Sequence, residues 1–456
     1  MPRDTGFEAD LVVANAEMLI TMDAARVEHR YGWVSVSNGV VVATGSGEAP
    51  VARRRIDASG CLVTPGLINT HHHIFQNLTR SYAPSLTGTL FDWLKTLYPL
   101  WACLDDEAVY VSTWIGLAEL ALGGCTTTTD HMYVHPRPGF IDAQIVAARE
   151  VGLRFHPTRG SMSLSEKDGG LPPDSVVQND DDILSDSERL VATYHDRSPT
   201  SMLRLALAPC SPFSVTPELM RRTAELAERL DVRLHTHLAE DRDEDGFCLE
   251  LFGCRPVEHF ENCGWGSSRS WVAHCIQPNE AEIARLGAWG TGAAHCPSSN
   301  LILATGLAPV RELRSAGVPV GIGCDGSSSA DSAHLWTETR NAMLLGKLRG
   351  GPGQMSARDA MEMATLDGAR CLGRAGEIGE LTPGACADIT VWPLGGVRFA
   401  GALSDPVEGW LRCGPSSPRD VIVNGNCIVT GGEFAVPGVD EMLARHETCA
   451  RSLQRL

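Results

Sequence analysis

Eight times between residues 64 and 380 the chain repeats one pattern. A short apolar run ends in polar or reactive residues, and a stretch with helical spacing follows. The runs are VTPGLINTHHH, CTTTTDH, LRFHPTRG, LRLALAPC, VRLHTHLAE, WVAHC, GTGAAHC and PVGIGCDG. Near-continuous apolar runs of this length predict strands buried on both faces, as in a parallel sheet covered by helices. Eight strand–helix units in series predict an α/β fold closed into a (β/α)8 TIM barrel. Each polar or reactive group falls at the C-terminal end of its run, and in a barrel those ends converge on one face. In a doubly wound open sheet they would spread apart.

The two ends of the chain read differently. From Leu11 to Val63, and again from Asp388 onward, short apolar stretches are cut by turns, as in WVSVSNGVVVATG and VIVNGNCIVTGG. These predict strands of one small β-sandwich domain built from both termini, residues 1–63 and 381–456, flanking a barrel over 64–380. An amphipathic stretch from Val439 to Leu453 predicts a final helix. Two connections are long: one after His73, through FDWLKTLYPLW, and one after Gly160. Long connections beyond barrel strands are candidate lids over a pocket.

Composition narrows the function. The 456 residues are 43% hydrophobic and 21% charged, with a net charge of −18. An acidic surface repels polyanions, so neither nucleic acid nor an anionic membrane is an expected partner. No apolar run reaches the roughly 18 residues of a membrane helix. The 15 cysteines are odd in number and contain no C-x-x-C. They read as reduced, small apolar residues of a cytoplasmic protein.

The chemistry sits at the run ends. On a strand alternate side chains share a face, so His71 and His73 point together and His72 away. Such a pair, aimed into a barrel mouth, suits a metal. His237 and Glu240 pair a ligand with a nearby carboxylate free to move protons, while His235 reads equally as a hydrogen-bonded core histidine. His274 ends the sixth run and can orient a water or stabilise an oxyanion. Asp325 ends the eighth and can both bind a metal and accept a proton. His295 and Asn300 offer donors and acceptors to a polar ring. Gln76, Trp93, Asp130, His131, Tyr133 and Arg159 are further pocket candidates. No G-x-G-x-x-G follows an early strand, which excludes a dehydrogenase reading. A metal-storing barrel would have no use for Glu240 as a proton shuttle.

Together PGLINTHHH, HTHLAE, WVAHC, GCDG and GELTPGACADITVW, in this order, resemble the motifs of the amidohydrolase superfamily over nearly the whole chain. Glu240 in H-x-A-E resembles the mark of its mononuclear cytosine/guanine deaminase and triazine hydrolase branch. The fourth run, LRLALAPC, lacks the lysine that would be carboxylated to bridge two metals. The resemblance implies one divalent ion, zinc or alternatively iron, held by His71, His73, His237 and Asp325, with Glu240, His274 and Asp325 catalytic. It implies hydrolytic deamination of a purine-like heteroaromatic substrate, of 8-oxoguanine or guanine type, with hydroxide generated at the metal. The other reading is hydrolysis of an exocyclic amide C–N bond or a halide at the same site. Gln76, Trp93, Arg159, His295 and Asn300 are the expected substrate-binding residues, in a homo-oligomer, a dimer or higher. Two positions depart from the pattern: Ala330, where such deaminases carry asparagine, and Ser298, where they carry cysteine.

Overall fold

The structure is a computed structural model that describes residues 8–402 and 404–455. All eight apolar runs form strands of one closed parallel barrel. In chain order these are Leu67–Asn69, Cys125–Met132, Arg154–Ser161, Ala206–Pro209, Arg233–Leu238, Ser270–His274, Gly292–His295 and Val320–Ile322. The eighth strand closes on the first through Ile322 and Asn69. Beyond that contact the two chains part and then pair again, with Asp325 opposite His72 and Gly326 opposite His73. This second pairing carries the histidines of the first strand and the aspartate of the eighth to the same height.

Strands from both chain ends merge into a single nine-stranded sheet. Cys61–Pro65 runs antiparallel to Ile389–Pro393, with Val63 opposite Val391. Ala9–Ile20 pairs with Ala52–Asp57 along its first half and with Cys61–Pro65 along its second. The sheet therefore turns about a core of its own, which includes Leu11, Val34, Val63, Ile389 and Ile422. Asn38-Gly39 and Asn424-Gly425 each place two consecutive residues at positive φ. That backbone fits the tight hairpins in which Asn-Gly is favoured.

The first long connection is ordered. Thr89 and Asp92 form a capping box at the start of a helix, Leu90–Trp101, which satisfies backbone donors at its N-terminus. The helix Asp106–Leu122 follows. The final helix, Val439–Gln454, lies back against it, tied by Arg445 to Glu107. It also reaches the turn after His73, where His446 Nε2–H donates to Asn77 Oδ1 at 2.8 Å. No helix among the described residues is long and apolar enough to cross a membrane.

Candidate metal centre and active site

Hydrogen bonds on the far side of each ring set the tautomers of three histidines. His73 Nδ1 lies 2.7 Å from the carbonyl of His131, and His237 Nδ1 lies 2.7 Å from the carbonyl of Cys210. A carbonyl only accepts, so both Nδ1 atoms carry hydrogen and both Nε2 atoms present lone pairs. His71 reaches the same state through a relay. His235 Nδ1–H donates to the Trp271 carbonyl at 2.9 Å, so His235 Nε2 accepts from His71 Nδ1–H at 2.8 Å. His71 Nε2 is then a buried lone pair with no partner among the described residues. Outer hydrogen bonds of this kind orient metal-binding imidazoles.

The lone pairs converge. His73 Nε2 is 3.1 Å from His237 Nε2. Asp325 Oδ1 lies 3.2 Å from His71 Nε2 and 3.3 Å from His73 Nε2. Ligand atoms of His71, His237, His274 and Asp325 fall within 4.8 Å of one another, as do those of His71, His73, His131 and His237. Neutral imidazoles facing each other around a carboxylate are costly unless a cation sits among them, so the donor set fits a divalent ion. Burial drives the pKa values of His71 and His237 well below the ordinary range.

Beside this centre, Glu240 Oε2 lies 3.6 Å and Asp325 Oδ2 3.9 Å from His274 Nε2. Burial, then Asp325 and Asp241, pushes the Glu240 carboxyl well above its usual pKa. Ala239, His274 and Asp325 all have positive φ, at 52°, 66° and 57°. Such backbone is uncommon outside glycine and clusters at functional sites. Here it falls at or just beyond the ends of the fifth, sixth and eighth strands.

Several supporting residues carry no clear mark in the sequence. The carboxylate of Glu244 accepts the N–H groups of Ala239 and Glu240, each at 2.8 Å, and fixes the turn that presents Glu240. Ser329 Oγ–H donates to Asp325 Oδ2 at 3.1 Å. Asp130, a pocket candidate in the sequence, accepts the N–H of Ile74 at 2.7 Å instead.

The expected substrate-binding residues divide. Gln76 and Trp93 line the cavity over the centre, with Tyr98, Tyr133, Phe213 and Leu303. Trp93 Nε1–H donates to the Ser328 carbonyl at 3.1 Å and ties the long connection to the eighth strand's loop. Asn300 Oδ1 is 3.0 Å from His274 Nδ1, so its visible role is to hold that ring. Arg159 points away from the cavity. Its guanidinium meets Asp186 at 2.6 Å and Gln178 at 3.0 Å. His295 lines a separate, larger cleft of about 560 Å³ on the barrel flank, walled by residues such as Val310, Arg314 and Gly346. That cleft is bigger than the cavity of about 30 Å³ at the centre, but none of the four expected metal ligands lines it. Ser298 faces Glu338 and Asn341.

Comparison with known proteins agrees with this geometry. The profile of the Amidohydrolase family matches residues 62–428. The 8-oxoguanine deaminase of Pseudomonas aeruginosa is 48% identical over 429 residues, which are 92% of this chain and 95% of that one. The hydroxydechloroatrazine ethylaminohydrolase of Pseudomonas sp. is 40% identical, over 86% of this chain and 82% of its own. The crystal structure of atrazine chlorohydrolase TrzN from Arthrobacter aurescens TC1 complexed with zinc superposes with a TM-score of 0.92 at 32% identity, covering 96% of this chain and all (100%) of the other.

Proposed function

Because the chain belongs to the amidohydrolase family, and so is a metal-dependent hydrolase acting on C–N bonds, we propose that it deaminates a purine-like heteroaromatic amine of 8-oxoguanine type. His71, His73, His237 and Asp325 would hold the metal. We assign it as zinc, since three imidazoles and a carboxylate suit that ion and the TrzN structure is complexed with zinc. When bound there, a divalent ion supplies a Lewis acid and brings the pKa of a coordinated water towards about 7.

The observation that carries the reading is Glu240. It is a buried carboxyl whose pKa burial, with Asp325 and Asp241, raises well above the usual range, opening into an aromatic-walled cavity beside the lone pairs. A neutral carboxylic acid can give its proton to a ring nitrogen next to the carbon under attack, which makes that carbon more electrophilic. Asp325 Oδ2 takes a proton from the attacking water and returns it to the departing amine, with Ser329 keeping the oxygen in place. His274, its ring fixed by Asn300, donates or accepts at Nε2 as charge develops. Trp93, Tyr98, Tyr133 and Phe213 give a flat ring its stacking surfaces, and Gln76 offers an amide to its edge.

Names of two relatives point to a second reading at the same site, in which an alkylamine or chloride leaves. Product analysis on a panel of purines, pterins and s-triazines separates the two, with metal content measured on the same sample. Ammonia from a purine supports the first; alkylamine or chloride from triazines alone supports the second. Glu240→Gln should retain the metal and lose turnover by about 10²- to 10⁴-fold, the usual worth of a positioned acid. Near-normal turnover in that variant would remove Glu240 from the mechanism.

A further inference from the structure

Beneath the metal centre, the barrel interior turns basic. Trp271 stacks on His235 with ring centroids 4.4 Å apart. The next layer down holds His156, whose ring centroid is 6.0 Å from that of Trp271, and Arg233, whose guanidinium carbon is 5.7 Å from the same ring. Arg233 also lies against Gly373, where an added Cβ would come within 2.8 Å of its Nη1. Arg374 follows directly in the chain. Its Nε–H donates to Glu377 at 2.9 Å, and Arg204 binds the same carboxylate at 2.9 Å.

The charges do not balance. Asp388 is committed to Arg154, at 2.9 and 3.0 Å. Glu377 is shared between Arg204 and Arg374. Arg233 has no carboxylate partner among the described residues. The neighbouring thiols cannot help: burial pushes Cys371 up to about 12 and also raises Cys386, so both stay neutral. Four guanidiniums thus face two carboxylates.

Donors are left over as well. Arg204 Nε, Arg233 Nε and Arg374 Nη1 are buried and unpartnered among the described residues, as are both ring nitrogens of His156, at least one of which carries a hydrogen. His156 is only 2% exposed. A buried unpaired donor or uncompensated cation is destabilising, and native folds rarely keep several in one place without an occupant.

We propose that the N-terminal end of the barrel binds a small inorganic anion of chloride size, held by His156, Arg204, Arg233 and Arg374. The arginines and the histidine supply single N–H donors, and the hydroxyl of Thr129, opposite His156 on the neighbouring strand, is unpartnered beside them. A monatomic anion accepts from all of them and has no proton of its own to satisfy. Water could accept from two, but would leave the excess positive charge uncompensated. The anion's role is structural: it stitches the third, fourth, fifth and eighth units together below the chemistry, and it is independent of the assignment of Glu240.

The test uses metal-loaded protein in sodium gluconate at constant ionic strength, with thermal unfolding followed as chloride replaces gluconate. The unfolding midpoint should rise by a few degrees along a saturating curve. Arg233→Met should flatten that response while leaving metal content and turnover unchanged. In wild-type crystals grown with bromide, an anomalous peak should stand within hydrogen-bond reach of His156 and Arg233, which decides the matter if Arg233→Met does not fold. A midpoint indifferent to chloride, an undiminished response in Arg233→Met, or density without anomalous signal each overturns the proposal. Stabilisation by phosphate in place of chloride overturns the monatomic assignment.

Discussion

Glu240 and Glu244 are both buried, four residues apart, and do different work. The first faces the cavity. The second turns back to accept two backbone N–H groups and is pushed up to about 7 by burial, those bonds opposing. Glu244→Gln keeps the shape but sets an NH₂ against one N–H. A buried donor left unsatisfied costs about 1–3 kcal/mol, so kcat should fall roughly tenfold to hundredfold as Glu240 loses its fixed aim, with metal content and KM little changed. Stopped assays at saturating substrate check this; an unchanged kcat removes Glu244 as a positioning residue. In the sequence Glu244 is one acid among Asp241, Asp243 and Asp245, and nothing there singles it out. Arg159 shows the opposite case. It lies three positions from His156 on one strand, so two-residue alternation alone puts the two on opposite faces, and Arg159 indeed meets Asp186 rather than the cavity. Asn300 holds His274 because the chain after His295 coils into the helix Pro297–Ile302, a geometry that residue type does not announce.

At the level of elements, the eight strands were legible because each buried strand is an apolar run ending in chemistry, and the histidine-rich ends pointed to the candidate site. What the pattern left open was the state of the long connection after His73. It forms a capped helix, Leu90–Trp101, and that helix supplies Leu90, Trp93, Leu94 and Tyr98 to the cavity. It therefore forms one wall of the cavity over the centre. We expect the helix to shift outward as a ring enters and to return over it. The bond from Trp93 to the Ser328 carbonyl favours the closed position by about 1 kcal/mol, as buried hydrogen bonds typically do. Trp93→Phe keeps most of the ring and removes the donor. It should raise KM about fivefold for every substrate accepted, through a smaller closed population, and leave metal content unchanged. A substitution that lowered kcat alone, with KM intact, would place Trp93 in the chemistry instead of the closure.

For the molecule as a whole, the buried titratable groups set how stability depends on pH. Away from the metal centre, His135, His156, His195, His259 and His446 all have lowered pKa values, chiefly because burial disfavours the charged ring; three of them, His195, His259 and His446, fall to about 4. Unfolded, each takes up a proton near pH 6.5. The unfolded chain therefore binds more protons across this window, and stability rises with pH up to about 6.5. Asp130, Glu244 and Glu338 work the other way. Burial raises each to about 7, while in the unfolded chain they ionise near pH 4. Their contribution is present at low pH and is lost as pH climbs to about 7. Below pH 6.5 the histidines outnumber the carboxyls, although His195 and His446, being partly exposed, count for less through solvent screening. Between about 6.5 and 7.5 only the carboxyls titrate. The thermal unfolding midpoint of the metal-loaded protein should therefore peak near pH 6.5, falling towards pH 5 and more gently towards pH 8. Metal content measured at each pH separates histidine titration from loss of the ion on the acid side. The decline on the alkaline side is the sharper criterion, because no metal ligand gains a proton there: a midpoint still rising from pH 6.5 to 8 would mean that Asp130, Glu244 and Glu338 are ionised in the fold and held by their backbone donors.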